Sequence, residues 1–366
     1  MIQKKKIEEY NIVRVIAVLL VIISHCEYYK ITTNYGEINY SSAGVLNITF
    51  IDELTRKILT FFKNFLYTFH MPLFFALSGA LFKNSLNNGK VNSFKELIIQ
   101  KSERLLIPFI IIVLLFSTPI KYLSGYFSNS QNILKDIIVG QILLQGNNYL
   151  WFLPTLFFEF LVIYLIKEKI NYKKCKTIFL IFFILMNIAS PIIKITIIKN
   201  IFCYLIYFYI GYLFEDYRTE INQKIDKMNL INIIIKIIII TILLTIFNVY
   251  DFNENISSKI LKYTLKLFMA VLGTYMIYLI SYKLSKTKIS NNSIIRKINE
   301  NSFGIYLYSD PLNYLILYIV YNIFGINVFY TNPGIILIFL TRLLITFFVS
   351  FAITSLLRKK KVKYIC

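Results

Sequence analysis

Only two of the 366 residues are histidine, one is tryptophan and four are cysteine. Two histidines without ligand spacing make a poor metal site, so no metal is expected. Cys26, Cys175, Cys203 and Cys366 are scattered, with neither redox nor metal spacing, and read as free thiols rather than a disulfide framework. Acidic residues are scarce too: 19 Asp and Glu stand against 40 Lys and Arg, giving a net charge of +21. That excess does not point to nucleic acid. The basic residues sit in short segments between apolar runs rather than on one soluble domain. There is no internal repeat, no low-complexity linker and no polar stretch long enough to fold alone.

What the chain has in abundance is apolar residues, at 57%. A soluble protein of this size has no interior large enough to hide them, so the fold class is all-α and polytopic in a membrane. Ten apolar stretches are long enough to span, at about 11–29, 60–82, 105–123, 148–166, 177–195, 200–215, 231–250, 262–282, 302–324 and 333–357. Together they make one transmembrane domain over residues 1–366. Segments on one side of these spans hold 26 of the 40 basic residues and those on the other hold 10. By the positive-inside rule both termini are then cytoplasmic. Arg14 within the first run, and the lack of a small-residue cleavage site after it, read as an uncleaved signal anchor. The outer segment 30–59 is polar and long enough for a small cap.

The polar residues inside the spans are the functional candidates, because a charge or a titratable ring in hydrocarbon is expensive. Arg14 and His25 share the first span, eleven residues apart. That is close to three helical turns, so the two side chains project from one face, about 16 Å apart along the axis. His70, the second histidine, lies in FHMPLFFALSGALF (69–82). Glu159, Asp310 and Arg342 fall near mid-membrane, and a carboxylate paired with Arg342 weighs evenly against a substrate role. Lys236 and Lys266 lie a few residues inside span ends, where snorkelling accounts for them. Trp151 sits at an outer boundary, as an aromatic belt requires. Glu27, two residues after His25, points to the outer aqueous side. Lys101 and Arg104, in KSERLLIP (101–108), sit one turn apart where a cytoplasmic loop enters the third span. They read either as ordinary positive-inside charge or as a phosphate clamp.

These blocks, in this order, resemble the membrane-bound acyltransferase family 3, which includes bacterial O-acetyltransferases of envelope polysaccharides and peptidoglycan. The likeness rests on the Arg14-to-His25 spacing, FHMPLFFALSGALF, the Lys101/Arg104 pair and LWFLPTLFFEF (150–160), with NSFGIYLYSDPLNYL (301–315) near the late-span motif. It runs over nearly the whole chain. The resemblance implies a ten-span core that moves an acyl group from cytoplasmic acyl-coenzyme A to an acceptor at the outer face. It implies that His25 is the essential first-span histidine, that Arg14 begins its motif, and that Lys101 and Arg104 are the basic pair. Two departures stand out: lysine replaces the first arginine of the pair, losing a bidentate fork, and Ser309-Asp310 stands where many members have a histidine. Some members carry a C-terminal hydrolase-like domain; with the sequence ending at Cys366, direct transfer is expected.

The expected chemistry follows. His25, with His70 as a second candidate, takes the proton of a sugar hydroxyl attacking a thioester, or carries the acyl group itself. Arg14, Lys101 and Arg104 hold the phosphates of acetyl-coenzyme A or another acyl-coenzyme A. Glu159, Asp310 and Arg342 bind substrate or hold structure. The partners are the lipid bilayer, the acyl donor and a glycan or lipid-linked sugar acceptor, in a multi-pass protein of a bacterial cytoplasmic membrane. Two other classes remain open: a transporter or flippase of lipid-linked glycans, and a non-catalytic component of an exopolysaccharide assembly complex.

Overall fold

In lipid, backbone groups must be satisfied within the segment, so apolar runs of this length fold as helices despite their many β-branched residues. The computed structural model describes residues 7–27, 31–38, 49–252 and 255–362. Its long helices are α1 (Glu8–His25), α2 (Phe50–Asn87), α3 (Phe94–Leu123), α4 (Tyr149–Ile170) and α5 (Lys173–Ile192). They continue with α6 (Thr196–Asp226), α7 (Leu230–Val249), α8 (Ile256–Ser285), α9 (Ser293–Phe324) and α10 (Asn332–Lys359). Each overlaps one of the ten expected stretches. Eight of them, α2 to α8 and α10, are long and apolar enough to cross a membrane. The chain is therefore an all-α, multi-pass membrane protein. The two helices that fall short, α1 and α9, carry Arg14 with His25 and Asp310 respectively.

Local sequence sets the helix ends. Thr49 and Asp52 form a reciprocal capping box at the start of α2, and Asn229, Asn255 and Asn292 cap α7, α8 and α9 with their side chains. Asp52 also accepts a bond from the backbone N–H of Asn332, and Thr55 donates to the Asn332 side chain at 2.8 Å. The first turns of α2 and α10 are thereby pinned together.

The helix α1 lies inside the bundle, against α2, α8, α9 and α10, and the apolar core closes around α1 and α2. By contrast α5 and α7 are peripheral. Ile178, Ile181 and Leu185 on α5, and Ile235, Ile238 and Ile242 on α7, are exposed in the stripes that lipid would cover. Residues 31–38 add a two-stranded antiparallel hairpin, in which Glu37 N–H bonds the Tyr126 carbonyl at 2.9 Å. This is the described part of the expected cap; residues 39–48 of it lie outside the described residues, as does Cys366. Cys26, Cys175 and Cys203 are free thiols.

Several boundaries differ from the sequence reading, each for a physical reason. The first helix stops at His25 rather than 29, since other groups take its last carbonyls. The sixth runs on to Asp226 rather than 215, because its polar extension is partnered: Arg218 meets Glu9 at 2.8 Å and Glu215 at 3.0 Å, and Tyr278 bonds Asn222 at 2.7 Å. The third begins at Phe94 and contains two π-helical turns, Ser102–Leu106 and Val113–Ser117. Glu27 does not face water: it is buried, taking Thr60 at 2.6 Å and Lys63 at 2.8 Å from α2. Trp151 packs inward on Tyr204, at 4.9 Å between rings, and on Phe75. Lys236 reaches the Met228 sulfur at 3.4 Å, back toward its own helix start.

The closest crossing is α2 against α6. A Cβ on Gly79 would lie 1.9 Å from the Phe208 carbonyl oxygen, and one on Gly211 would lie 1.9 Å from that of Ala76. Small residues on facing helices let backbones approach this closely. Gly79→Val and Gly211→Val are expected to cost roughly 1–3 kcal/mol each and to lower the detergent melting temperature. Unchanged melting in both would contradict the crossing.

Candidate active site

A helix ends with carbonyls that have no partner, and burying them requires a donor. At the end of α1 that donor is Arg342 of α10. Its guanidinium donates to the carbonyls of Cys26 at 2.7 Å and His25 at 2.9 Å, and to the Asn313 side-chain oxygen at 3.0 Å. Arg342 has no exposed surface. A cation at a helix C-terminus is also favoured by the helix dipole. The clamp fixes where α1 stops, and so where the His25 ring begins.

The ring is held from α9. His25 Nδ1 lies 2.9 Å from Asp310 Oδ1. A carboxylate on Nδ1 selects the tautomer with its proton there and turns Nε2 away from Asp310. Asp310 is thus the partner of His25, a finer role than the mid-membrane carboxylate beside Arg342 that the sequence suggested. His25 also sits near the Tyr67 ring, at 6.2 Å between centroids, and Tyr67 stands edge-on to His70 at 4.8 Å. The two histidines therefore meet through one tyrosine. His70 Nδ1 lies 2.9 Å from the Leu66 carbonyl one turn back, and its side chain is buried.

At the other end of α1, Arg14 donates to Asn299 of α9 at 2.9 Å and lines a cavity of about 170 Å³ with Met71, Phe152 and Tyr306. A larger cavity of about 610 Å³, lined by Lys101, Glu103 and Arg104, adjoins it. The two share Ser78, Leu81, Leu105, Leu156 and Phe303 as walls. The expected basic pair does converge on one space, though from a π-helical turn rather than a regular α-turn. The Lys101 ammonium also lies 3.5 Å from the centre of the Phe160 ring. The inner cavity reaches toward His70 and Asp310: Met71 follows His70, and Tyr306 precedes Asp310 by one turn.

Glu159 is fully buried, but neither of its oxygens has a hydrogen-bond partner among the described residues. It makes no hydrogen bond to Arg342, whose bonds include those to two carbonyls and an amide. Arg14, Lys101 and Arg104 gather at one end of the bundle interior, and His25, His70, Asp310 and Arg342 at the other. Asn299 and Asn313 were missed as site residues. Asn313 was findable, since it follows Asp310 by three and so shares its helix face.

A family model described as an acyltransferase domain matches residues 7–358. No curated protein and no solved structure matches the chain.

The clamp makes its own prediction. Truncating one member of a buried, paired charge set costs roughly 3–5 kcal/mol, so Arg342→Met should melt far below wild type in detergent. Arg342→Lys keeps the charge but loses the fork, and should fall between. Equal melting of all three proteins would rule out the clamp.

Proposed function

The chain belongs to acyltransferase family 3 and is a membrane acyltransferase; on that premise we propose that it carries an acyl group across the bilayer to an envelope glycan. In this reading ten helices cross, both termini are cytoplasmic, and the membrane is a bacterial cytoplasmic membrane. The donor is acyl-coenzyme A, with acetyl the preferred group. The observation that carries the proposal is α1 itself: Arg14 on a cavity with two further cations beside it, His25 bound to Asp310 at the far end.

The donor is large and multiply charged, so its phosphates stay at the mouth where basic residues concentrate. Lys101 and Arg104 line the wider cavity there, and Arg14 lies deeper. The narrow cavity beyond suits a thin pantetheine arm with a short acyl group. Its walls of Met71, Phe152 and Leu156 offer apolar contact and exclude water. The thioester then comes to rest near His25.

The acceptor hydroxyl arrives from the opposite side. His25 Nε2 takes its proton as the oxygen attacks the thioester carbonyl, and Asp310 on Nδ1 steadies the imidazolium that forms. The tetrahedral intermediate expels the coenzyme A thiolate, which recovers the proton from His25. The products are an ester and a thiol, with no net proton change on the enzyme. A positioned base of this kind contributes about 10²–10⁴-fold. Asp310 takes the place of the histidine found in many relatives by acting on the catalytic ring.

Membrane vesicles containing enzyme and acceptor, supplied with radiolabelled acetyl-coenzyme A, test the assignment. His25→Ala should give no transfer at wild-type protein level, and Asp310→Asn should lower the rate while leaving donor KM unchanged. Arg104→Ala removes a charge-assisted contact worth about 1.5–3 kcal/mol, so donor KM should rise roughly 10- to 150-fold. Full transfer by His25→Ala would overturn the proposed centre.

A further inference from the structure

Attack on a thioester puts negative charge on the carbonyl oxygen, and that charge needs a donor waiting for it. His25 cannot serve, since it is occupied with the hydroxyl proton. A second group near the ring must therefore be a hydrogen-bond donor, rigidly held and without a partner of its own.

Asn313 meets these conditions. It sits on α9 three residues after Asp310, about 4.5 Å further along the same helix face. Its side chain has no exposed surface. Its oxygen receives Arg342 Nε at 3.0 Å and the Cys26 thiol at 3.7 Å. Both neighbours are donors, so the amide is not free to flip: the atom facing them must be oxygen. The nitrogen is thereby turned the other way, and among the described residues Asn313 Nδ2 has no hydrogen-bond partner.

The amide is also tied to the reacting ring. The Arg342 that fixes its oxygen bonds the carbonyls of His25 and Cys26 as well. Imidazole, guanidinium and amide therefore keep one mutual geometry, anchored at the end of α1. A buried amide donor left unpaired is costly, and such costs recur where a group is reserved for a reaction. Lys121, also buried and lying over the Tyr314 ring, is engaged with Gln141 at 2.7 Å and with the Asn147 carbonyl at 2.5 Å.

We propose that Asn313 is a catalytic residue whose Nδ2–H bonds the thioester oxygen and stabilises the oxyanion formed on attack. This rests on the reading of His25 as the transfer centre. The bond strengthens as the C=O bond opens to C–O⁻ and weakens as the carbonyl re-forms with loss of thiolate. Asn313 neither gains nor loses a proton.

The test uses full-length protein in membrane vesicles with their own acceptor and radiolabelled acetyl-coenzyme A, giving apparent kcat and donor KM per mole of enzyme. Asn313→Asp keeps an oxygen for Arg342 and Cys26 but removes the donor. It should lose about 10²–10³ in kcat, the usual effect of deleting one oxyanion donor, with donor KM within twofold of wild type. Asn313→Ala, which carries no side-chain donor, should show the same split and is read alone if the Asp variant fails to reach the membrane. Wild-type kcat in either inserted variant would overturn the assignment, and so would a loss confined to KM. His25→Ala, run in parallel, separates the two claims. If it is inactive while the Asn313 variants are fully active, the transfer centre stands and only the oxyanion role falls. If it is active, the centre itself is misplaced.

Discussion

A guanidinium sealed inside a membrane protein has to be answered by acceptors on every side, and Arg342 is answered by the frayed end of α1. Its bonds to the His25 and Cys26 carbonyls stop the helix, and its bond to Asn313 draws α9 to the same point. The first helix and the last two thus meet at one cation. The arrangement is costly to break and satisfies groups that hydrocarbon would leave unpaired. It also leaves the His25 ring at a helix terminus, where Asp310 can reach it.

From that fixed end the rest of the site follows along the axis of α1. Eleven residues back, Arg14 lines a cavity that adjoins the one lined by Lys101 and Arg104. The spacing of about 16 Å is roughly half the hydrocarbon thickness. In the proposed reading, a charged carrier stops at one end while its reactive group reaches the other. The two long helices that fall short of a simple span, α1 and α9, sit in the interior where their polar groups find each other. The strongly apolar α7 faces largely outward.

Much of this was legible in the sequence. Ten apolar runs gave the helices, because nearly all are about as long as a bilayer needs and a helix satisfies its backbone within the segment. The Arg14–His25 spacing was legible because a helix has a fixed pitch, and the cavity residues Lys101 and Arg104 followed from charge placed at a helix entry. The pairings were not legible. Asp310 with His25, and Arg342 with two carbonyls, join residues hundreds of positions apart, and periodicity carries no information on which helices touch. Glu159 shows the same limit from the other side: a mid-span carboxylate looks like a counter-ion in sequence, yet among the described residues neither of its oxygens has a hydrogen-bond partner. The π turn at Ser102–Leu106 and the polar extension of α6 to Asp226 depended likewise on tertiary partners.

The central claim is that this chain joins an acyl group to an envelope glycan. Its most direct test is mass spectrometry of envelope glycans from wild-type cells and from cells lacking the gene. The account predicts that glycan species in the wild type are heavier by one acyl group, 42 mass units for about one acetyl, and that this difference disappears on deletion. Identical glycan masses in the two strains would contradict it.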